Sequence, residues 1–383
     1  MKFCFYLTGI NESGVSVVTS RIANYIGENH DVEIIVDGPV SVSKTYMNKF
    51  SNVKFILPDY RVEEVNSPNI KNKKILSFLK GVMKPIFGRF CWEVKRSLSN
   101  QYRHYDFSDY DKAFICCLSG KFRLAFNKSK NITYIIHNHK SIQLSSGYLI
   151  GDFFDKLFFK HSLSSKGIIS VSESVKRDLI SKFNVAENKI KVVYNPLVLS
   201  QNTTRALTVD KTKSFLVVGR LSIQKRVDRA IDAFAIFVKK YNHISCHLNI
   251  AGKGDLEDKL KKQVKDLGLE NKVKFLGQRD DVDYLINSSC FVLISSDFEG
   301  FSTVAIESIL SGTLVVASPS DSLLEISELS PGSVLVARDF SSSALCVSMF
   351  DAVHSKNIST CSIEHLGKIV SPEVCVAKYI ERA

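Results

Sequence analysis

No run of apolar residues in this sequence approaches the roughly 18 that a helix needs to cross a bilayer. The first apolar run, Phe3-Cys4-Phe5-Tyr6-Leu7, turns polar at Asn11-Glu12-Ser13. It is too short for a signal-peptide apolar region, and no small-residue cleavage site follows, so a buried first strand and a cytoplasmic protein are expected. Cysteine supplies no framework either. The nine cysteines are scattered and include no Cys-x-x-Cys. The adjacent pair Cys116-Cys117 alternates faces if it lies in a strand, which suits neither a disulfide nor a metal site. Reduced, buried thiols are the expectation. Internal repeats and low-complexity tracts are also missing. With 45% hydrophobic and 23% charged residues, disorder does not dominate the chain. Acidic residues are in deficit, 39 against 51 basic ones, for a net charge of +12. That balance favours polyanionic partners: nucleic acid, an anionic membrane or phosphorylated small molecules.

What is present is the alternation of short apolar runs and amphipathic stretches that marks an α/β protein with mainly parallel sheets. A length of 383 residues allows two or three domains. In the first half Phe3–Leu7, Val32–Val36, Val53–Leu57, Lys112–Cys116, Ile132–Ile136 and Gly167–Val171 read as strands. The second half offers Ser214–Val218, Leu248–Ala251, Val273–Leu276, Cys290–Ile294, Leu314–Ala317 and Ser333–Val336. Between them Asn195-Pro196 marks a turn, and the polar run from Ser200 to Lys213 lacks a hydrophobic period, which makes it the expected linker. Each half then forms a doubly wound sheet with a cleft between the two.

One segment breaks this rhythm. From Lys71 to Arg103 nine basic residues face a single acidic one, Glu93, and aliphatic and aromatic residues are interleaved at helical spacing. Such a composition suits a helix lying on an anionic membrane. It equally suits an amphipathic helix with a solvated basic face, broken at Pro85 and Gly88.

The chemistry gathers in the second half. The strand Phe215–Val218 ends in Gly219 and Arg220, and Lys225 follows in the loop before a helix from Val227. Ligands of open α/β sheets bind at the carboxyl ends of strands, and two cations on one such loop suit a diphosphate. Surface cations in a basic chain are the plainer reading of each alone. The next strand ends in Ala251-Gly252-Lys253-Gly254-Asp255, where the glycines permit a tight turn and close backbone approach to a ligand. The third element is Ser295-Ser296-Asp297-Phe298-Glu299-Gly300-Phe301-Ser302-Thr303. A helix beginning near Phe301–Ser302 presents the N–H groups of Ser302, Thr303 and Val304 to an anion. Glu299 is then placed for hydroxyls beside that anion. Glu307 stands within an otherwise apolar Val304–Leu310 run, where a carboxylate needs a partner because burying it unpaired is costly.

These motifs together resemble the retaining glycosyltransferases of family 4, with the two-domain GT-B architecture. The resemblance rests on Glu299 and Glu307, on Gly219-Arg220-Leu221 with Lys225, and on the Ala251–Asp255 run. Leu276-Gly277, Tyr194-Asn195-Pro196 and Val171-Ser172-Glu173-Ser174 also stand at that family's usual positions. It implies an acceptor-binding Rossmann-like domain over 1–198 and a nucleotide-sugar domain over 199–366. A C-terminal helix over 367–383 would return to the first domain. Arg220 and Lys225 would hold the donor diphosphate and stabilise charge on the leaving nucleotide. Glu299 would bind the donor sugar and Glu307 the ribose, with Gly219, Gly252, Gly254 and the backbone of Phe301, Ser302 and Thr303 also at the donor. His137, after the strand Ile132–Ile136, resembles the family's cleft histidine, though His137-Asn138-His139 also reads as a simple turn. Ser13 and Gly14 mark the expected acceptor loop, where similar enzymes carry a glycine pair. No cofactor or divalent metal is implied, the cations and helix N-terminus neutralising the phosphate. The acceptor is expected to be a glycan or glycolipid of bacterial surface polysaccharide assembly, met at the cytoplasmic membrane face through Lys71–Arg103.

Other classes fit less well. Asp281-Val282-Asp283 has the letters of a metal-binding Asp-x-Asp, but a helix cap with first-turn carboxylates explains it. Gly9 and Gly14 do not supply the Gly-x-Gly-x-x-Gly of a nicotinamide enzyme, and no nucleic-acid motif is visible. A non-catalytic nucleotide-sugar-binding or regulatory protein of the same fold is the remaining alternative.

Overall fold

The computed structural model describes residues 1–7, 14–36, 47, 50–56, 106–116, 129–137, 166–197, 214–355 and 358–381. Ser13, Cys117, His139, the basic segment Lys71–Arg103 and the polar run from Ser200 to Lys213 lie outside the described residues. The chain divides into two compact units, Met1–Val193 with Lys378–Ala383, and Tyr194–Ala377.

Unit 1 is built on a seven-stranded sheet: β1 (Lys2–Leu7), β2 (Asp31–Val36), β3 (Lys54–Ile56), β4 (Lys112–Ile115), β5 (Ile132–Ile136), β6 (Gly167–Ser170) and β7 (Ile190–Val192). Its order is β3-β2-β1-β4-β5-β6-β7, and every pairing is parallel. Helices α1 (Gly14–Gly27) and α2 (Glu173–Phe183) belong to it. Parallel strands buried on both faces read as near-continuous apolar runs. Accordingly Phe3, Phe5, Ile34 and Phe114 are all at most 1% exposed. The strand β7 was missed in the sequence because three residues carry no readable period.

Unit 2 repeats the plan with β8 (Ser214–Val218), β9 (His247–Ala251), β10 (Val273–Gly277), β11 (Phe291–Ile294), β12 (Leu314–Ala317) and β13 (Val334–Val336). These strands are ordered β10-β9-β8-β11-β12-β13, again with every pairing parallel. Its helices are α3 (Val227–Lys240), α4 (Glu257–Asp266), α5 (Val282–Asn287), α6 (Thr303–Leu310), α7 (Asp321–Leu329), α8 (Ser342–His354) and α9 (Thr360–Ile369); α10 (Pro372–Ile380) follows. Counted within each unit, both orders are 3-2-1-4-5-6, the doubly wound dinucleotide-fold arrangement, with a seventh strand added in unit 1. Phe215 anchors the second core: Phe291 stacks on it at 4.3 Å, while Phe234 and Phe237 of α3 meet it edge-on.

The last residues of the chain are part of unit 1. The Tyr379 ring, 1% exposed, meets Phe114 of β4 edge-on at 5.5 Å. Carbonyls at a helix C-terminus lack intrahelical partners, and lysines of the sheet satisfy them here. Lys112 Nζ donates to the carbonyls of Tyr379 and Glu381, and Lys191 Nζ to that of Lys378 and to the Glu381 carboxylate. A Tyr379→Ala substitution should therefore cost unit 1 about 3 kcal/mol, read as a lowered urea midpoint; an unchanged midpoint would show that the terminal segment is not part of the folded unit.

Candidate functional site

In a doubly wound sheet the winding reverses at one point, and the loops on either side of it diverge to leave a crevice at the carboxyl ends of the strands. In unit 2 that point lies between β8 and β11, where the sequence places its cations and Glu299. The loop after β8 is braced first. Gly219 N–H donates to the Ala251 carbonyl and Leu221 N–H to the Lys253 carbonyl, continuing the β8–β9 ladder beyond the strands. Gly219 (φ 149°) and Gly252 (φ 146°) adopt backbone that side chains rarely tolerate. A Cβ on Gly252 would stand 1.9 Å from the Gly219 carbonyl oxygen, and one on Gly254 2.4 Å from that of Leu221. The glycines proposed from sequence for approach to a ligand are thus demanded by approach of two loops to each other.

The loop after β8 is next stitched to the loop after β11. Ser295 Oγ donates to the carbonyls of Lys225 (3.0 Å) and Arg226 (2.8 Å). Asp297 N–H donates to the Gln224 carbonyl, and Gln224 Nε2 to that of Phe298. This seam brings Lys225 Nζ to 2.7 Å from Glu299 Oε1. The same oxygen accepts from Ser296 Oγ at 2.6 Å, and the Glu299 carboxylate is almost wholly buried. The two residues assigned from sequence to separate parts of a donor are each other's ion-pair partners.

Sequence reasoning missed the support behind that pair. Arg229, on the buried face of α3, donates through Nη1 to the Ser295 carbonyl at 2.7 Å and through Nη2 to Asp297 at 2.6 Å. Arg226 holds a left-handed backbone (φ 48°), a conformation costing an ordinary L-residue about 1–2 kcal/mol. Its guanidinium grips Asp228 and reaches Asp297. The readable signal was a charged residue at a core-facing position of α3, between Val227 and Ala230.

A shallow cleft, open to solvent, lies over this seam, lined among others by Gly219, Lys225, Ser296, Ser302 and Val304. Ser302 caps α6, its Oγ accepting from Ala305 N–H. Helix geometry leaves the Thr303 and Val304 N–H groups without intrahelical acceptors. Arg220 is exposed at the end of β8. Glu307 departs from its sequence reading: with Thr303 and Val304 it lies on the half-exposed side of α6. An apolar run overstated its burial, because a helix turns one position in three or four outward. Phe301 is buried; the Tyr194 ring stacks on it at 4.6 Å, and the Tyr194 hydroxyl donates to buried Glu325 at 3.0 Å. The Tyr194-Asn195-Pro196 motif thus props the turn leading into α6.

The other readings resolve locally. Asp281 stands at the N-cap of α5 but makes no capping hydrogen bond. It takes a forked pair of bonds from Arg279 instead, while the cap position and the first-turn carboxylate, Asp283, stand as expected. In unit 1, Val171–Ser174 starts α2, Ser172 Oγ accepting from Val175 N–H. Gly14 opens α1, with space around its missing Cβ. His137 follows β5 with a half-buried ring. Its Nε2 is enclosed without a hydrogen-bond partner among the described residues. Burial pushes its pKa down to about 4 from the ordinary 6.5, so the imidazole is neutral at physiological pH.

Two family models match adjoining stretches of the chain: Glycosyltransferase Family 4 over residues 13–201 and Glycosyl transferases group 1 over 201–338. A glycosyltransferase of Methanocaldococcus jannaschii is 38% identical over 42% of this chain and 44% of its own length, so the match spans less than half of that relative. A Campylobacter jejuni enzyme, N-acetylgalactosamine-N,N'-diacetylbacillosaminyl-diphospho-undecaprenol 4-alpha-N-acetylgalactosaminyltransferase, is 26% identical over 83% of this chain and 80% of its own. Among solved structures, Anabaena HepE in complex with UDP aligns over 99% of this chain and 97% of its own, with TM-score 0.67 and 18% identity. A Staphylococcus aureus TarM mutant, in complex with fondaparinux, α-GlcNAc-glycerol and UDP, aligns over 99% of each chain with TM-score 0.71 and 13% identity. At such identity these structures speak for the fold, which is GT-B.

Two measurements check the geometry. Gly252→Ala should destabilise unit 2 by about 3 kcal/mol or more, seen in denaturant unfolding; a neutral effect would disprove the close approach of the two loops. His137 makes stability depend on pH. Above pH 6.5 neither folded nor unfolded chain protonates it. As pH falls toward 4 the unfolded chain binds the proton first, so stability drops by up to about 3 kcal/mol. His137→Gln should flatten that part of the profile, and a wild-type slope retained in the variant would refute the assignment.

Proposed function

This chain belongs to the group 1, family 4 glycosyltransferases, and we propose that it moves a sugar from a nucleoside diphosphate donor to a hydroxyl of a glycan acceptor with retention of anomeric configuration. The observation that carries this reading is the arrangement at the β8–β11 switch point. A lysine ion-paired to a buried carboxylate and the N-terminal turn of α6 meet at one cleft there. A diphosphate needs cations and N–H donors, which Lys225, Arg220 and the first turn of α6 supply. A sugar needs a hydroxyl acceptor beside them, which is Glu299. Glu307, on the half-exposed side of α6, is assigned to the ribose.

The bond from the anomeric carbon to the diphosphate oxygen breaks as the acceptor oxygen attacks that carbon from the same face. The acceptor's proton passes to the departing phosphate. Charge developing on that phosphate is stabilised by Lys225, Arg220 and the α6 dipole, and on this reading no divalent metal is required. His137, neutral in unit 1, is assigned to the sugar side of the reaction. A lipid-linked acceptor is favoured by the likeness to the C. jejuni transferase, whose name specifies a diphospho-undecaprenol substrate. The basic segment Lys71–Arg103 adds an affinity for anionic membrane surface to this proposal.

A thermal-shift panel of nucleoside diphosphates and their sugars tests the donor site, because a ligand of the folded state raises its apparent stability. At least one nucleotide should shift the transition, and no shift across the panel would refute the proposal. Transfer or donor hydrolysis should fall at least about a hundredfold in Lys225→Ala. Unchanged rates in Lys225→Ala and Glu299→Ala would point to a non-catalytic binding protein instead.

A further inference from the structure

The contact between Lys225 and Glu299 has a consequence for which ligands the cleft favours. Lys225 Nζ lies 2.7 Å from Glu299 Oε1, and among the described residues Ser296 Oγ also donates to that oxygen, at 2.6 Å. The carboxylate is nearly buried while the ammonium is about one-fifth exposed. Any anion entering over Gly219 and the first turn of α6 therefore meets a lysine already neutralised. A diphosphate must displace Glu299 from the ammonium or crowd a second anion beside its carboxylate. Both are costly in a partly desolvated site unless other donors reach that carboxylate. The hydroxyls of a sugar on the diphosphate are such donors, and a bare nucleoside diphosphate has none to offer there.

We propose that the Lys225–Glu299 pair is a specificity device: it penalises the bare nucleoside diphosphate relative to the nucleotide-sugar, favouring donor over spent nucleotide at one cleft. The inference rests on the donor-site reading above. It makes Glu299 a discriminating group as well as a hydroxyl acceptor, with Ser296 as its positioning residue.

Calorimetric titrations of UDP, UDP-glucose, GDP and GDP-mannose test it, using whichever base the wild type binds. Glu299→Gln, which keeps the side-chain shape, should bind the diphosphate about tenfold tighter. Its affinity for the nucleotide-sugar should stay level or fall, so that the ratio between them collapses. Ser296→Ala is the second variant and removes the hydroxyl that donates to the carboxylate. It should weaken the bare diphosphate about threefold and the nucleotide-sugar less. In a Lys225→Met background, Glu299→Gln should change diphosphate affinity less than about twofold. The inference is overturned if Glu299→Gln leaves diphosphate affinity unchanged or tightens both ligands in parallel, or if tightening persists undiminished without Lys225. It is equally overturned if Ser296→Ala leaves the ratio unmoved, which decides the matter should the glutamine variant not fold. A wild type that binds none of the four ligands refutes the donor-site reading itself, a result distinct from binding without discrimination.

Discussion

The hydrogen-bonded seam between the loops after β8 and β11 holds the candidate site together. Ser295 reaches the carbonyls of Lys225 and Arg226, and Asp297 and Gln224 exchange bonds with the opposite loop. Doubly wound topology alone sends these loops apart, since their following helices pack on opposite faces of the sheet. Drawing them together involves the left-handed turn at Arg226, while Gly219 and Gly252 let the loop after β8 close on the loop after β9. The strain at Arg226 is offset by its ion pairs with Asp228 and Asp297, which themselves belong to the seam. Arginine strain and the Lys225–Glu299 contact are two consequences of one constraint.

Electrostatically the seam is closer to neutral than the chain around it. Lys225, Arg226 and Arg229 are matched by Glu299, Asp228 and Asp297, whereas the whole chain carries +12. Positive potential in the cleft is therefore not a matter of counting lysines. It comes from the α6 N-terminus and from however much of Lys225 a ligand can claim from Glu299. In unit 1 the same economy of charge appears differently, since His137 is kept neutral by burial alone.

Much of the fold was legible because parallel strands buried on both faces leave unbroken apolar runs. Ile132–Ile136, Ser214–Val218 and Leu314–Ala317 match residue for residue, while β7 is too short to show a pattern. The cap at Ser302 was nearly placed, since a serine before an apolar run satisfies the first helical N–H groups. Glu307 misled in one respect: local hydrophobicity implied burial, but the facing of a helix depends on what packs against it. Gly252 and Gly254 were read as room for a ligand, and the structure adds that another loop already needs that room. A glycine announces close approach without saying whether a ligand or another loop approaches.

The sequence by itself determined the α/β plan, the positions of the strand ends and the set of charged and small residues gathered there. Each of these is a local property, carried by periodicity, by turn chemistry and by the order of motifs along the chain. Only the tertiary structure decided who partners whom. Lys225 and Glu299 are 74 positions apart, and so nearly are Arg229 and Asp297, which no periodic pattern can relate. Their pairing follows from the switch in strand order that makes β8 and β11 neighbours, and from the hydrogen bonds that join the loops after those strands.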